Sequence, residues 1–321
     1  MLILPDHKYL DYCGRIDFGK REEPVFIYAG SYVRLTFTGD SISVRLANQR
    51  AYFTSYIGYI LDGRQGKFSL AEDGEVHSYE IGNRLTGSTH ELLLFKRMDA
   101  CHYFRLCGIE LSMDGELLPQ AALSSRRMEV FGDSVSCGEV SEAIDYVGKE
   151  DPKHDGEFSN SWYSYSWLTA RRLDARLHIT AQGGAALLDK TGWFCGPDYV
   201  GMESIYDKLQ YNPQLGALKS WSFGQWKPHV VIVAIGQNDA NPENYMAEDY
   251  DCEKSVSWRK AYRAFLEKLM AVYPETQFIL ATTILGHDSS WDRAIDEVCR
   301  ELGSNRVHHF LYEKNGCGTP G

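Results

Sequence analysis

Several things are missing from this chain of 321 residues. There is no block of basic residues, and the formal net charge is -11. A nucleic-acid partner would need a positive footprint, so that class is excluded. No run approaches the roughly 18 apolar residues of a membrane span, so no membrane partner is expected. The opening MLILPDHKYLDYCGR has no basic n-region and four apolar residues before Pro5, unlike a secretory leader. The eight cysteines include no C-x-x-C pair, which leaves reduced, packed thiols as the reading. No His/Cys/Asp cluster has metal-ligand spacing, so no metal or other cofactor is expected. Internal repeats and low-complexity segments are absent as well. What remains is globular: 44% hydrophobic and 24% charged residues, enough to build a core without disorder. Aromatics reach 13%, with 20 Tyr and 7 Trp. Rings of this kind pack cores and also line sugar-binding clefts.

The length suggests about two domains, and the chain has two textures. Residues 1–122 read as short strands. SYVRLTFTGDSISVRLA alternates apolar and polar residues on both sides of Gly39-Asp40, a hairpin signal, and TSYIGYILDGRQGKFSLA does the same around Asp62-Gly63. HELLLFKRM and HYFRLCGIELS add two strands. The expected fold of this half is a β-sandwich or jelly roll. LSMDGELLPQAALSS reads as a linker. Over residues 126–321 strands alternate with helices. RRMEVFGDS, RLHITAQGG, HVVIVAIGQNDA, TQFILATTIL and RVHHFLYE read as strands. SNSWYSYSWLTARRLDA, SVSWRKAYRAFLEKLMAVYP and SWDRAIDEVCRELG read as helices, the last capped by Ser289 or Ser290 with Asp292 in its first turn. That alternation predicts an α/β domain with a parallel sheet.

In such a sheet a ligand crevice opens beyond the carboxyl ends of the strands. Three strands end there in small and polar residues: Gly132-Asp133-Ser134, Gln182-Gly183-Gly184 and Gly236-Gln237-Asn238-Asp239. A hydroxyl needs a base to become a nucleophile. A tetrahedral intermediate needs donors aimed at its oxyanion. A glycine lets a backbone N–H come close, and an Asn side chain supplies another. Each triplet alone is equally a helix cap, a tight turn or an Asx turn; the three in this order suit acyl transfer.

With FGDS, AQGGA and IGQND in this order, the chain resembles the SGNH (GDSL-like) hydrolases, a flavodoxin-like three-layer fold. With a β-sandwich in front and the phrase HELLLFKRMDA before the linker, it resembles carbohydrate esterase family 2 over nearly its whole length. The resemblance implies Ser134 as nucleophile. It implies an oxyanion hole of the Ser134 N–H, Gly184 (with Gly183 as the alternate) and Asn238. It also implies a catalytic His after the last strand, followed by Pro. The sequence reaches Gly321 without one, so the expectation is a chain cut just before that His and the final covering helix. Counting back from such a His gives Thr319 and Pro320, neither a carboxylate, so a Ser-His dyad is expected rather than an Asp-assisted triad. Of the histidines present, His308 and His309 fall in a strand and read as structural, while His287 follows a strand end and is the best internal candidate for a base or substrate contact.

The long stretch LLDKTGWFCGPDYVGMESIYDKLQYNPQLG lies between the second and third blocks and is placed to shape the site. Its aromatics Trp193 and Tyr206 are the expected substrate contacts, Trp193 as the ring that the resemblance implies near an acetyl pocket. Asp239 is read as holding its turn. The implied activity is removal of O-acetyl groups from mannan- or xylan-type oligosaccharides. Alternatives are an esterase or lipase on another acyl ester, or a carbohydrate binder without catalysis. A cytoplasmic location is expected, and an open sheet edge leaves room for a homodimer.

Overall fold

The computed structural model describes residues 1–316. The first part folds as two antiparallel sheets of six strands each. Strands Tyr32–Phe37 and Ser41–Arg50 turn alternate residues inward, so Val33, Leu35 and Phe37 meet Ile42, Val44 and Leu46 in one buried core. These two strands do not pair. Tyr32–Phe37 pairs with His90–Lys96, and Ser41–Arg50 with His102–Leu111. The turn at Gly39-Asp40 therefore carries the chain from one sheet to the other and is not a hairpin. The alternation is the same in both cases, because a strand shows its apolar residues to the core whichever neighbour it pairs with. The turn at Asp62-Gly63 is a true hairpin, joining Tyr56–Leu61 to Arg64–Ser69. The expected linker includes a two-residue strand, Leu117–Leu118, paired with Phe37 and Thr36.

The second part is built on a five-stranded parallel sheet. Its order is Arg176–Ala181, Arg127–Gly132, Val230–Ala234, Gln277–Ala281, Val307–His309. Period two along the first strand sends Met128 and Val130 to one face and Phe131 to the other. Phe131 joins Trp258, Tyr262, Phe265 and Leu269 of the Glu253–Val272 helix in the largest core. Met128 and Val130 pack with Trp167 and Ala170 of the Tyr165–Arg172 helix, and with Cys13, Ala29, Tyr32 and Phe95 of the sandwich. The expected helix over 159–175 begins later than the pattern suggested, after a single turn at Ser161–Tyr163. The Ser289–Leu302 helix is capped by Asp288, which accepts the Ser290 N–H at 2.9 Å, in place of Ser289 or Ser290. Gly303, at φ 57, closes it.

The two parts meet through a boundary with a buried ion pair at its centre. Arg15 of the sandwich reaches Glu129 in the middle of the first parallel strand, 2.8 Å from Nη2 to Oε1, with both side chains fully buried. The sandwich thus grips the strand that leads to Ser134.

Candidate active site

The parallel register levels the strand ends. Gly132 pairs with Ala181 on one side and Ala234 on the other, and Ala234 pairs with Ala281. Asp133-Ser134, Gln182 to Gly184, Gly236 to Asn238 and Thr282-Thr283 therefore leave the sheet along one rim. Gly132 has no room for a side chain: a Cβ there would lie 2.0 Å from the Ser136 hydroxyl. Ser134 opens a one-turn helix, Ser134–Cys137. Asp133 caps it, accepting the Val135 N–H at 3.1 Å, and Gly138, at φ 78, ends it. This leaves Ser134 half-buried on the rim.

The two candidate glycines can be told apart. The Gly183 N–H is already used, donated to Asp99 at 2.8 Å. Gly184 is the free neighbour, at φ +73, its carbonyl accepting the Trp193 N–H at 2.8 Å. A Cβ on it would come 2.8 Å from the Trp193 Cβ, so this approach needs glycine as well. Asn238 lies beside the Ser134 cap. Its amide donates to Asp133 at 3.1 Å and to the Ala185 carbonyl at 3.0 Å. It must release one of these to serve an oxyanion. Gln237 also donates to Asp133, and to Thr283 at 3.2 Å. Asp133 is the knot that joins the first and third blocks. Burial pushes its carboxyl up to about 7, against the pull of the Val135 N–H and the Gln237 amide. Asp239 is fully buried and accepts the Leu187 and Leu188 N–H groups at 2.8 and 3.3 Å. It thereby holds the loop after Gly183 and Gly184.

His287 stands at the end of the fourth strand, close enough for the Asp133 charge to act on it. Both of its ring nitrogens are engaged: Nδ1 with the Leu285 carbonyl at 2.6 Å and Nε2 with Asp292 at 2.8 Å. Thr282 and Asn315 close on Asp292 at 2.5 and 2.7 Å. Burial alone would lower the His287 value, but the Asp292 carboxylate and the Leu285 carbonyl outweigh it and raise it. Among the described residues His287 makes hydrogen bonds to Leu285 and Asp292 and none to Ser134. The Asp292 partnership was hidden in HDSSWD, where Asp292 had been read only as a first-turn acid. His308 bonds Gln277 at 3.1 Å and His309 approaches Asp296 at 3.4 Å, both away from the rim. Thr319 and Pro320 lie outside the described residues.

The long loop divides its aromatics. Trp193 is 64% exposed and adjoins Gly184, so it sits at the mouth of the site. Phe194 and Tyr211 are buried, Tyr211 against Tyr28 of the sandwich with ring centroids 4.8 Å apart and its hydroxyl donating to Gln182 at 2.9 Å. Tyr206, expected to face substrate, is packed against Phe265 and Phe223 with ring centroids 5.4 and 6.1 Å away. Its carbonyl accepts Arg15. That places its backbone near Glu129, below the rim, and leaves the ring half-buried at the edge of the core, directly after the Met202–Ile205 turn.

Residues 12–120 match the family model described as Carbohydrate esterase 2 N-terminal. Among curated proteins the chain is similar to "Cellulase/esterase CelE" of Acetivibrio thermocellus, 27% identical over 272 residues, which are 84% of this chain and 30% of that protein. It is also similar to an "Acetylxylan esterase / glucomannan deacetylase" of Cellvibrio japonicus, 25% identical over 305 residues, 94% of this chain and 79% of the relative. The chain thus spans under a third of the length of one relative and most of the other. Among solved structures, a family two carbohydrate esterase from Cellvibrio japonicus superposes with a TM-score of 0.80 at 23% identity, covering 100% of this chain and 92% of that one.

Proposed function

We propose that this chain, an SGNH-type relative of the family two carbohydrate esterases, is a serine esterase that removes acetyl groups from hemicellulose oligosaccharides. The observation that carries the reading is the levelled rim, where Ser134, Gly184 and Asn238 leave neighbouring parallel strands in register. The Ser134 hydroxyl adds to the acetyl carbonyl carbon and gives up its proton to a His base. The carbonyl oxygen becomes an oxyanion, held by the N–H groups of Ser134 and Gly184 and by the Asn238 amide once it leaves Ala185 or Asp133. Collapse expels the sugar hydroxyl, which takes back the proton, and leaves an acetyl-Ser134 ester. Water, deprotonated by the same base, then releases acetate. A small acyl group suits the site, because Trp193 closes on Gly184 from the loop side. Acetylated xylan and glucomannan fragments are the proposed substrates, by analogy with the Cellvibrio relative. The finer fold reading goes with this: a jelly roll in front and a flavodoxin-like three-layer domain behind.

One observation favours a second reading, a carbohydrate binder without turnover: among the described residues no imidazole bonds Ser134, and His287 is held by Asp292 and Leu285. Acetate release from acetylated xylo- and glucomanno-oligosaccharides separates the two. Release that Ser134→Ala abolishes supports the esterase. Oligosaccharide binding with no release supports the binder.

A further inference from the structure

The Gly183-Gly184 pair is the most pliable part of the rim, since glycine has the widest backbone freedom of any residue. An oxyanion donor works only if it is already aimed. Something must therefore hold this dipeptide. The Trp193 N–H holds the Gly184 carbonyl at 2.8 Å, and the Gly183 N–H is held from the other domain. Asp99 lies in the turn between the sandwich strands His90–Lys96 and His102–Leu111. One of its oxygens, Oδ2, accepts the Gly183 N–H at 2.8 Å and the Gln182 side-chain amide at 2.6 Å. The other, Oδ1, accepts the Cys101 N–H at 2.9 Å, which fixes the carboxylate in its own turn. The fully buried Lys96 ammonium donates to the Asp99 carbonyl at 2.7 Å and steadies the same turn. Tyr52, also of the sandwich, takes the Gln182 amide at 3.0 Å. From the far side comes Glu139, five residues after Ser134. A Cβ on Gly183 would meet Glu139 Oε2 at 2.6 Å and Asp99 Oδ2 at 2.7 Å, so the peptide runs between two carboxyl groups from two domains. Burial, and then the Asp99 charge, raises Glu139.

We propose that Asp99 of the sandwich domain is a positioning residue for the oxyanion hole: by occupying the Gly183 N–H and the Gln182 amide, it turns the next peptide so that the Gly184 N–H faces the carbonyl at Ser134. This rests on the esterase reading and adds to it a catalytic reason for the front domain. That domain does more than cover the sheet; it holds one donor of the oxyanion hole in place. Asn at position 99 cannot replace Asp. An amide has one acceptor oxygen, so either the Cys101 turn or the Gly183 contact would face an NH2 group.

The test is Asp99→Asn in the full chain, with Lys67→Ala as a control at another contact between the domains, where Lys67 meets Glu142 at 3.0 Å. Removing an oxyanion donor outright costs about 10²–10³ in kcat, and a misplacement of about 1 Å costs about 10². The expected result for Asp99→Asn is a kcat lower by about 10–100-fold with KM changed less than about threefold, while Lys67→Ala leaves both unchanged. Amide hydrogen exchange over 182–184 should become faster in Asp99→Asn, without faster exchange in the parallel strands. Unchanged kcat together with unchanged exchange at 182–184 overturns the proposal, as does a loss that only tracks the unfolded fraction. If Asp99→Asn does not fold, Tyr52→Phe removes only the hydroxyl that Gln182 uses; a kcat loss of about 2–10-fold is expected, and no loss overturns the clamp. If the wild type shows no Ser134-dependent acetate release, the esterase reading is what fails. The exchange comparison then judges the clamp alone: faster exchange at 182–184 supports it and unchanged exchange overturns it.

Discussion

Arg15→Met tests how the two domains are joined. The Arg15 guanidinium gives Nε and Nη2 to Glu129 Oε1 at 3.2 and 2.8 Å, and Nη1 to the carbonyls of Tyr206 and Lys208 at 2.6 and 3.0 Å. Glu129 also accepts Thr180 at 2.8 Å and Tyr273 at 2.7 Å. Both charges are out of water, so the pair is not a surface bridge of little consequence. Removing the cation leaves the carboxylate with two hydroxyl donors and no counter-charge, and takes from the Tyr206 carbonyl its Arg15 donor, while the Lys208 carbonyl keeps the Tyr28 hydroxyl at 2.7 Å. Breaking a buried pair in this way costs about 3–5 kcal/mol. At about 2–4 °C per kcal/mol for domains of this size, the Tm falls by roughly 6–20 °C. Calorimetry is the assay, because it also shows whether the two domains still unfold together. The double variant Arg15→Met/Glu129→Leu replaces charge by apolar volume and should be more stable than Arg15→Met by about 2 kcal/mol. A single-variant loss under about 1 kcal/mol, or a double-variant loss equal to the sum of the singles, would refute the reasoning.

Gly184→Ala forces a side chain onto a backbone at φ +73 and against Trp193, so kcat should fall by about 10²-fold or more in an acetate assay while the fold survives. Asp239→Ala leaves the buried Leu187 N–H and the part-buried Leu188 N–H without their acceptor and should cost about 2–4 kcal/mol by chemical denaturation. His287 is raised by Asp292, so its stabilisation is fully present below the unfolded value, about 6.5, and is lost as pH rises through the higher folded value. The stability lost in His287→Ala should therefore be larger at about pH 5.5 than at about pH 9, as measured by denaturant midpoints.

The rim was readable because its signals are local. An apolar run that stops at Gly-Asp-Ser, Gln-Gly-Gly or Gly-Gln-Asn-Asp marks a strand end, and parallel pairing then sets those ends level. The contacts that finish the site are not local. Asp99 meets Gly183 across 84 positions of chain, and neither residue has a pattern that points to the other. Tyr206 shows another contact that is not local. A ring in a loop beside a crevice looks available, but one helical turn sends it to Phe265. The crossing at Gly39-Asp40 reads as a hairpin in the sequence because burial sets the alternation of a strand, while its partner is chosen by topology.

The most direct measurement is covalent labelling of the full chain with a fluorophosphonate, followed by peptide mass mapping. The label forms a tetrahedral phosphorus adduct on a serine that has both a base and an oxyanion hole. The account predicts one adduct, on Ser134 and not on Ser136, that disappears in Ser134→Ala. A folded protein that takes no label, or takes it on another residue, would contradict the assignment of Ser134 as nucleophile.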